Sequence, residues 1–254
     1  MRCKSTRLKG SAYKVKTIRL LYPDHVSGGL DTYYFGANLL QYILPQNPNQ
    51  PIIKVDVLST DNREKPITNG IYAEEEVLLG VQDAHPDVST VNDDYPNAHA
   101  MVLGSLMGEG ATQLSSQMRN SVFKPDEILY VGLQPLHDYQ EAFLKNMGVD
   151  YKVQDQAFVT GEEIKAFMTR FDHILVHFDI DVLDEHFFHS TYFANPELVG
   201  DGAGGGKMTM EKLSKVLHLI TENSDVVGFT VAEYLPFDEH RLNKMLSGIN
   251  IFTD

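Results

Sequence analysis

Cysteine is almost missing from this 254-residue chain: Cys3 is the only one. That excludes an intramolecular disulfide and any thiolate zinc cluster, and it points to a reducing compartment. Basic residues are also in short supply, with 21 Lys and Arg against 35 Asp and Glu and a formal charge of −14. Nucleic-acid phosphates need a basic surface, so a nucleic-acid partner is not expected. No apolar run approaches the length of a membrane span, and no membrane partner is expected either. The basic start, Met1-Arg2-Cys3-Lys4, is not followed by an apolar signal-peptide core, so the expected location is the cytoplasm. Residues 1–16 read as a solvated, poorly ordered basic arm.

What is present is a globular composition, 43% hydrophobic with thirteen Phe and twelve Tyr, enough to bury a core. Short β-rich runs alternate with longer helical patterns. Thr17 to Tyr22, Ile52 to Val57, Ile128 to Leu133, His173 to Asp179 and Val226 to Glu233 read as buried strands. Phe35 to Leu44, His99 to Met107, Tyr139 to Met147, Glu162 to Phe171, Met210 to Glu222 and Glu239 to Leu246 read as helices, with a capping box at Thr160 and Glu163. Such alternation predicts an α/β fold built on a mainly parallel sheet. No linker or repeat divides residues 1–254, which are expected to form a single domain.

Parallel sheets carry their ligands beyond the carboxyl ends of the strands. Two acidic clusters fall there. Asp83-Ala84-His85-Pro86-Asp87 follows the apolar run Val77 to Val81 and offers a metal-capable side chain at every second residue. In extended backbone that spacing projects all three to one side. Asp179-Ile180-Asp181 follows Ile174-Leu175-Val176-His177-Phe178. Either motif alone is as compatible with a cap or a turn. Together they would place four carboxylates in one region, where their repulsion calls for cations. Oxygen donors with one imidazole suit a hard or borderline ion such as Mn²⁺.

These motifs resemble the ureohydrolases, the family of arginase and agmatinase. Residues 83–87 match the family's Asp-Ala-His-x-Asp. His177-Phe178-Asp179-Ile180-Asp181-Val182-Leu183-Asp184 is similar to its Ser-Phe-Asp-x-Asp-x-x-Asp, with His177 in the serine position and Glu185 where proline is usual. Val231-Ala232-Glu233-Tyr234-Leu235-Pro236 is similar to its Glu-x-x-Pro segment, and Ile128 to Leu133 to the strand that leads into its substrate loop. The resemblance covers roughly residues 70 to 254 and implies a three-layer α/β/α fold. It implies a manganese-dependent hydrolase, holding one or two Mn²⁺ per chain, that cleaves a guanidino compound to urea and an amine by a metal-bound hydroxide. Asp83 and Asp179 would bridge two metals, His85 and Asp181 would complete one site, and Asp87 would serve the other. Glu233 would hold the cationic guanidinium group, and His99 would shuttle protons to the leaving amine.

The family's upstream Gly-Gly-Asp-His-Ser ligand segment has no counterpart, because no histidine occurs between His25 and His85. The expectation is a shortened chain that lacks one strand and its flanking helices and has a weaker second metal site, with His25 and His177 as substitute ligands. Gln134-Pro135-Leu136 stands where an aspartate for the substrate amine is expected, so the guanidino substrate stays open, as does a homo-oligomer. Alternatives are a catalytically impaired relative acting as a binding or scaffold protein, and a zinc deacetylase-like hydrolase on the same fold. Gly200 to Met208 lacks the Ser or Thr of a phosphate loop and reads as a flexible loop over the site's rim. His186 and His189 lack a third zinc ligand.

Overall fold

The computed structural model describes residues 17–21, 31–54, 81–82, 85–93, 95, 98–110, 116, 121–195 and 204–253. Among them the strands are β1 (Arg19–Leu21), β2 (Ile52–Lys54), β3 (Val81–Gln82), β4 (Ile174–Asp179) and β5 (Val226–Ala232). The α-helices are α1 (Asp31–Ile43), α2 (Val102–Leu106), α3 (Asp138–Met147), α4 (Gly161–Met168), α5 (Met210–Asn223) and α6 (Glu239–Leu246). Every ladder is parallel. β1 pairs with β2, and β4 lies between β3 and β5. The predicted basic arm lies outside the described residues, as does most of the run before Asp83.

The main core is built around β4. Val176 and Phe178, with Ile180 and Val182 just beyond, are almost wholly buried against Leu213 and Leu217 of α5 and Leu242 and Leu246 of α6. Each such side chain stabilises by about 1.5–3 kcal/mol on leaving water. That stabilisation makes the carboxyl end of β4 a fixed platform. A second core joins Val88, Leu103, Leu106, Tyr130, Leu133 and Leu144, and it seats the chain that follows His85.

Helix ends follow local chemistry. Thr160 Oγ1 accepts from Glu163 N at 3.2 Å while Glu163 Oε2 accepts from Thr160 N at 2.8 Å, the capping box read from the sequence. α3 stops at Gly148, whose φ of +74° is the left-handed conformation glycine adopts without steric cost.

Two elements differ from expectation. The helix predicted over His99 to Met107 is a 3₁₀ turn, Ala98–Met101, followed by the short α2. Ile128 to Leu133, predicted as a strand, joins no strand ladder among the described residues, though Ile128 is extended, and Gly132 near its end stands at φ +119°. The segment is anchored through Gln154 N, which donates to Leu133 O at 2.7 Å, and through the Tyr130 hydroxyl.

Candidate metal centre

β4 ends in Asp179, and the chain turns at once into a 3₁₀ turn, Ile180–Val182. Asp179 Oδ1 accepts from Asp181 N at 3.0 Å, so the first carboxylate caps the turn that carries the second. Asp179 and Asp181 are only 6% and 3% exposed, a depth that ionised carboxylates tolerate only with a partner. At the neighbouring strand end, β5 delivers Glu233. Ligand oxygens of Asp179, Asp181 and Glu233 all lie within 4.8 Å of one another. His85 closes the group, with Nδ1 2.8 Å from Asp181 Oδ2.

The electrostatics carry the mark of this crowding. Burial, with Asp181 and Glu233 nearby, holds the Asp179 carboxyl well above the usual range. Burial and Asp181 push Glu233 up to about 7. For His85 burial alone would lower the value, but Asp181, Asp87 and Glu233 raise it to about 9. Metal-free, the cluster therefore retains protons that a cation could replace. A site of buried oxygen donors with one imidazole fits a hard or borderline divalent cation.

Two of the acids stand on unusual backbone. Asp87 has φ +51° and Glu233 φ +56°, the two non-glycine residues at positive φ among those described. Such a conformation costs on the order of 1–3 kcal/mol and gathers at functional sites. Around Glu233 the loop is fastened by buried Ser190. Its carbonyl accepts from Leu235 N at 3.0 Å, and its hydroxyl accepts from Phe237 N at 3.1 Å and Asp238 N at 2.6 Å. Gly36 of α1 lies against the same loop, where a Cβ would fall 1.8 Å from Tyr234 O.

Of the seven residues singled out in the sequence, His85, Asp87, Asp179, Asp181 and Glu233 are brought into one electrostatic group. Asp83 lies outside the described residues. His99 is exposed, with Nε2 3.3 Å from the Tyr95 hydroxyl. Of the substitute ligands, His25 is outside the described residues. His177 lies two residues before Asp179 on the same strand face, and burial lowers it to about 4, which keeps the imidazole neutral.

The glycine run is corrected in its described part. Gly205 and Gly206 are buried, not poised over a rim. Gly206 N donates to Asp181 O at 2.7 Å and Met208 N to Val182 O at 3.1 Å, so the run backs the acidic turn. A Cβ on Gly206 would meet Val182 O at 1.9 Å, so that only glycine fits. Sequence reasoning also missed Ser190 and Tyr130. A lone serine or tyrosine in a loop carries no local signal. Phe193, whose ring centre is 5.7 Å from that of His85, escaped for the same reason.

Comparison with known proteins bears on the family and the fold. The model of the arginase family matches residues 65–253. The chain belongs to the arginase family. That places it among the hydrolases of guanidino compounds, and its arginase-like α/β fold is shared with solved structures. Arginase from Entamoeba histolytica, in complex with L-ornithine, superposes with a TM-score of 0.70 at 18% identity, covering 91% of this chain and 95% of that one. Formimidoylglutamase from Bacillus subtilis gives 0.64 at 14% identity, covering 94% and 88%. Proclavaminate amidino hydrolase from Streptomyces clavuligerus gives 0.57 at 15%, covering 91% and 89%. A search of curated proteins found no match. The missing strand and helices expected from the sequence are not shown by these comparisons, since the first match spans nearly the whole of its partner.

Proposed function

We propose that this protein is a manganese-dependent ureohydrolase that cleaves a small cationic guanidino compound to urea and an amine. The observation that carries the reading is the buried meeting of Asp179, Asp181 and Glu233 with His85 at the carboxyl ends of adjacent parallel strands. Asp83, His85, Asp87, Asp179 and Asp181 would hold the metal. Mn²⁺ bound there would supply a Lewis acid and lower the pKa of water near neutrality. Glu233 holds the guanidinium by charge-assisted hydrogen bonds, and the substrate cation in turn favours its ionised form. Water adds to the guanidinium carbon and the C–N bond to the leaving amine breaks. His99 would carry a proton to that nitrogen, a transfer suited to an imidazole.

The reading includes one arginase-like domain and a cytoplasmic location. No helix among the described residues is long and apolar enough to cross a membrane. The test is urea release from a panel of guanidino compounds, assayed with added Mn²⁺. Turnover of at least one supports the hydrolase. Tight Mn²⁺ binding without turnover of any would favour the binding or scaffold role, and activity restored only by Zn²⁺ on acylated amines would favour the deacetylase-like one.

A further inference from the structure

Asp87 stands at φ +51°, and the carbonyls of Pro86 and Asp87 both accept hydrogen bonds. Tyr130, 1% exposed, donates its hydroxyl to Pro86 O at 2.8 Å across 44 residues of sequence. Gly104 N, one of the N–H groups left free in the first turn of α2, donates to Asp87 O at 3.1 Å. Ser89 N donates to Ala100 O at 2.8 Å, and the Ser89 hydroxyl lies 3.1 Å from that of Tyr139. Three of these four contacts belong to backbone or to residues beyond Asp87. The Tyr130 hydroxyl grips the Pro86 carbonyl, between His85 and Asp87, the two described residues of the motif that face the acidic cluster.

We infer that Tyr130 is a positioning residue, whose hydroxyl fixes the Pro86 carbonyl and thereby sets the strained backbone from which His85 and Asp87 reach the metal centre. The inference rests on the proposed metal role of those two residues. A strained conformation persists only where its surroundings over-determine it. Partners one step behind metal ligands typically change metal affinity by about 10–100-fold when removed. Tyr130→Phe removes only the hydroxyl and keeps the buried ring. It leaves Pro86 O without its donor and lets the turn relax towards negative φ.

The experiment is a titration of the full chain with Mn²⁺, reading bound metal directly, for wild type, Tyr130→Phe, Asp87→Ala and the double variant. Tyr130→Phe is expected to weaken Mn²⁺ binding about tenfold or more, while the metal-free chain stays folded and loses no more stability than one buried hydrogen bond contributes. In the Asp87→Ala background the same change is expected to cost less than in wild type, because part of what Tyr130 holds is already gone. Equal affinity of Tyr130→Phe and wild type overturns the inference. Full additivity in the double variant, with a matching loss of metal-free stability, overturns it too and makes Tyr130 a core residue only. Failure of the wild type to bind Mn²⁺ strikes the functional reading instead.

Discussion

The acids of this site stand on two kinds of backbone. Asp179 and Asp181 occupy the end of a buried central strand and a 3₁₀ turn in ordinary conformations, and they are themselves buried. Asp87 and Glu233 stand at positive φ on loops, partly exposed, and their backbone is fastened by hydrogen bonds that Tyr130 and Gly104 donate and Ser190 accepts. On the strand, burial of neighbouring apolar side chains offsets the cost of desolvating the acids. In the loops, directed hydrogen bonds offset backbone strain. The first arrangement resists change in aim but is intolerant of a lost charge. The second is open to graded change.

Substitution at the two places should separate them. Asp179→Asn is expected to abolish metal retention, a loss of about 100-fold or more in affinity, because it removes a carboxylate oxygen from a buried position at the end of β4. Asp87→Asn, which tolerates positive φ, is expected to cost only about tenfold. Direct metal analysis of the two purified variants checks this, and equal losses would erase the distinction.

Gly206→Ala attacks the strand-end platform from behind. Its Cβ would lie 1.9 Å from Val182 O, so backbone must move. The expected destabilisation is about 1–3 kcal/mol, read as a lowered denaturation midpoint. A midpoint equal to wild type would show that the glycine run does not brace the turn.

The raised carboxyls make a pH prediction. Glu233 is raised to about 7 and His85 to about 9, so both carry protons at mildly acidic pH. A cation must displace the proton from its ligand His85 and, by its charge, favours ionised Glu233 beside it, so affinity rises with pH. Between about pH 6 and 9 the expected gain approaches tenfold per unit for each proton expelled. Calorimetry in two buffers of different ionisation enthalpy counts those protons. For the metal-free fold the sign is opposite. An acid whose folded value is raised stabilises least when deprotonated, so the Glu233 contribution falls as pH climbs from its unfolded value through about 7.

The smallest effect is expected at His99. Being exposed beside Tyr95, it can be partly replaced by buffer, and His99→Asn should lower turnover about tenfold, below the usual range for a proton-transfer group. Metal content should not change. An unaltered pH–rate profile would remove His99 from the mechanism.

The strand-end half of the site was legible in the sequence because its signal is local. An apolar run ending in Asp-x-Asp needs only the period of a strand to be placed, and β4 and β5 appear where the pattern put them, as does α6. Glu233 was found by resemblance, but its positive φ was not, since nothing in Ala232-Glu233-Tyr234 signals a turn. Tyr130, Ser190 and Gly206 act across long sequence separations. Periodicity and spacing do not report such contacts. The misread segments have the same cause: Ile128 to Leu133 is apolar enough for a strand, yet Gly132 and its tertiary anchors decide its path.

The most direct test of the account is metal retained after exhaustive dialysis of the wild-type chain loaded with Mn²⁺. At least one Mn²⁺ per chain is expected at neutral pH, with a second held only at high added metal unless His177 or another ligand completes the other position. A dialysed wild type that retains no Mn²⁺, while remaining folded, would contradict the claim that this acidic cluster is a metal centre.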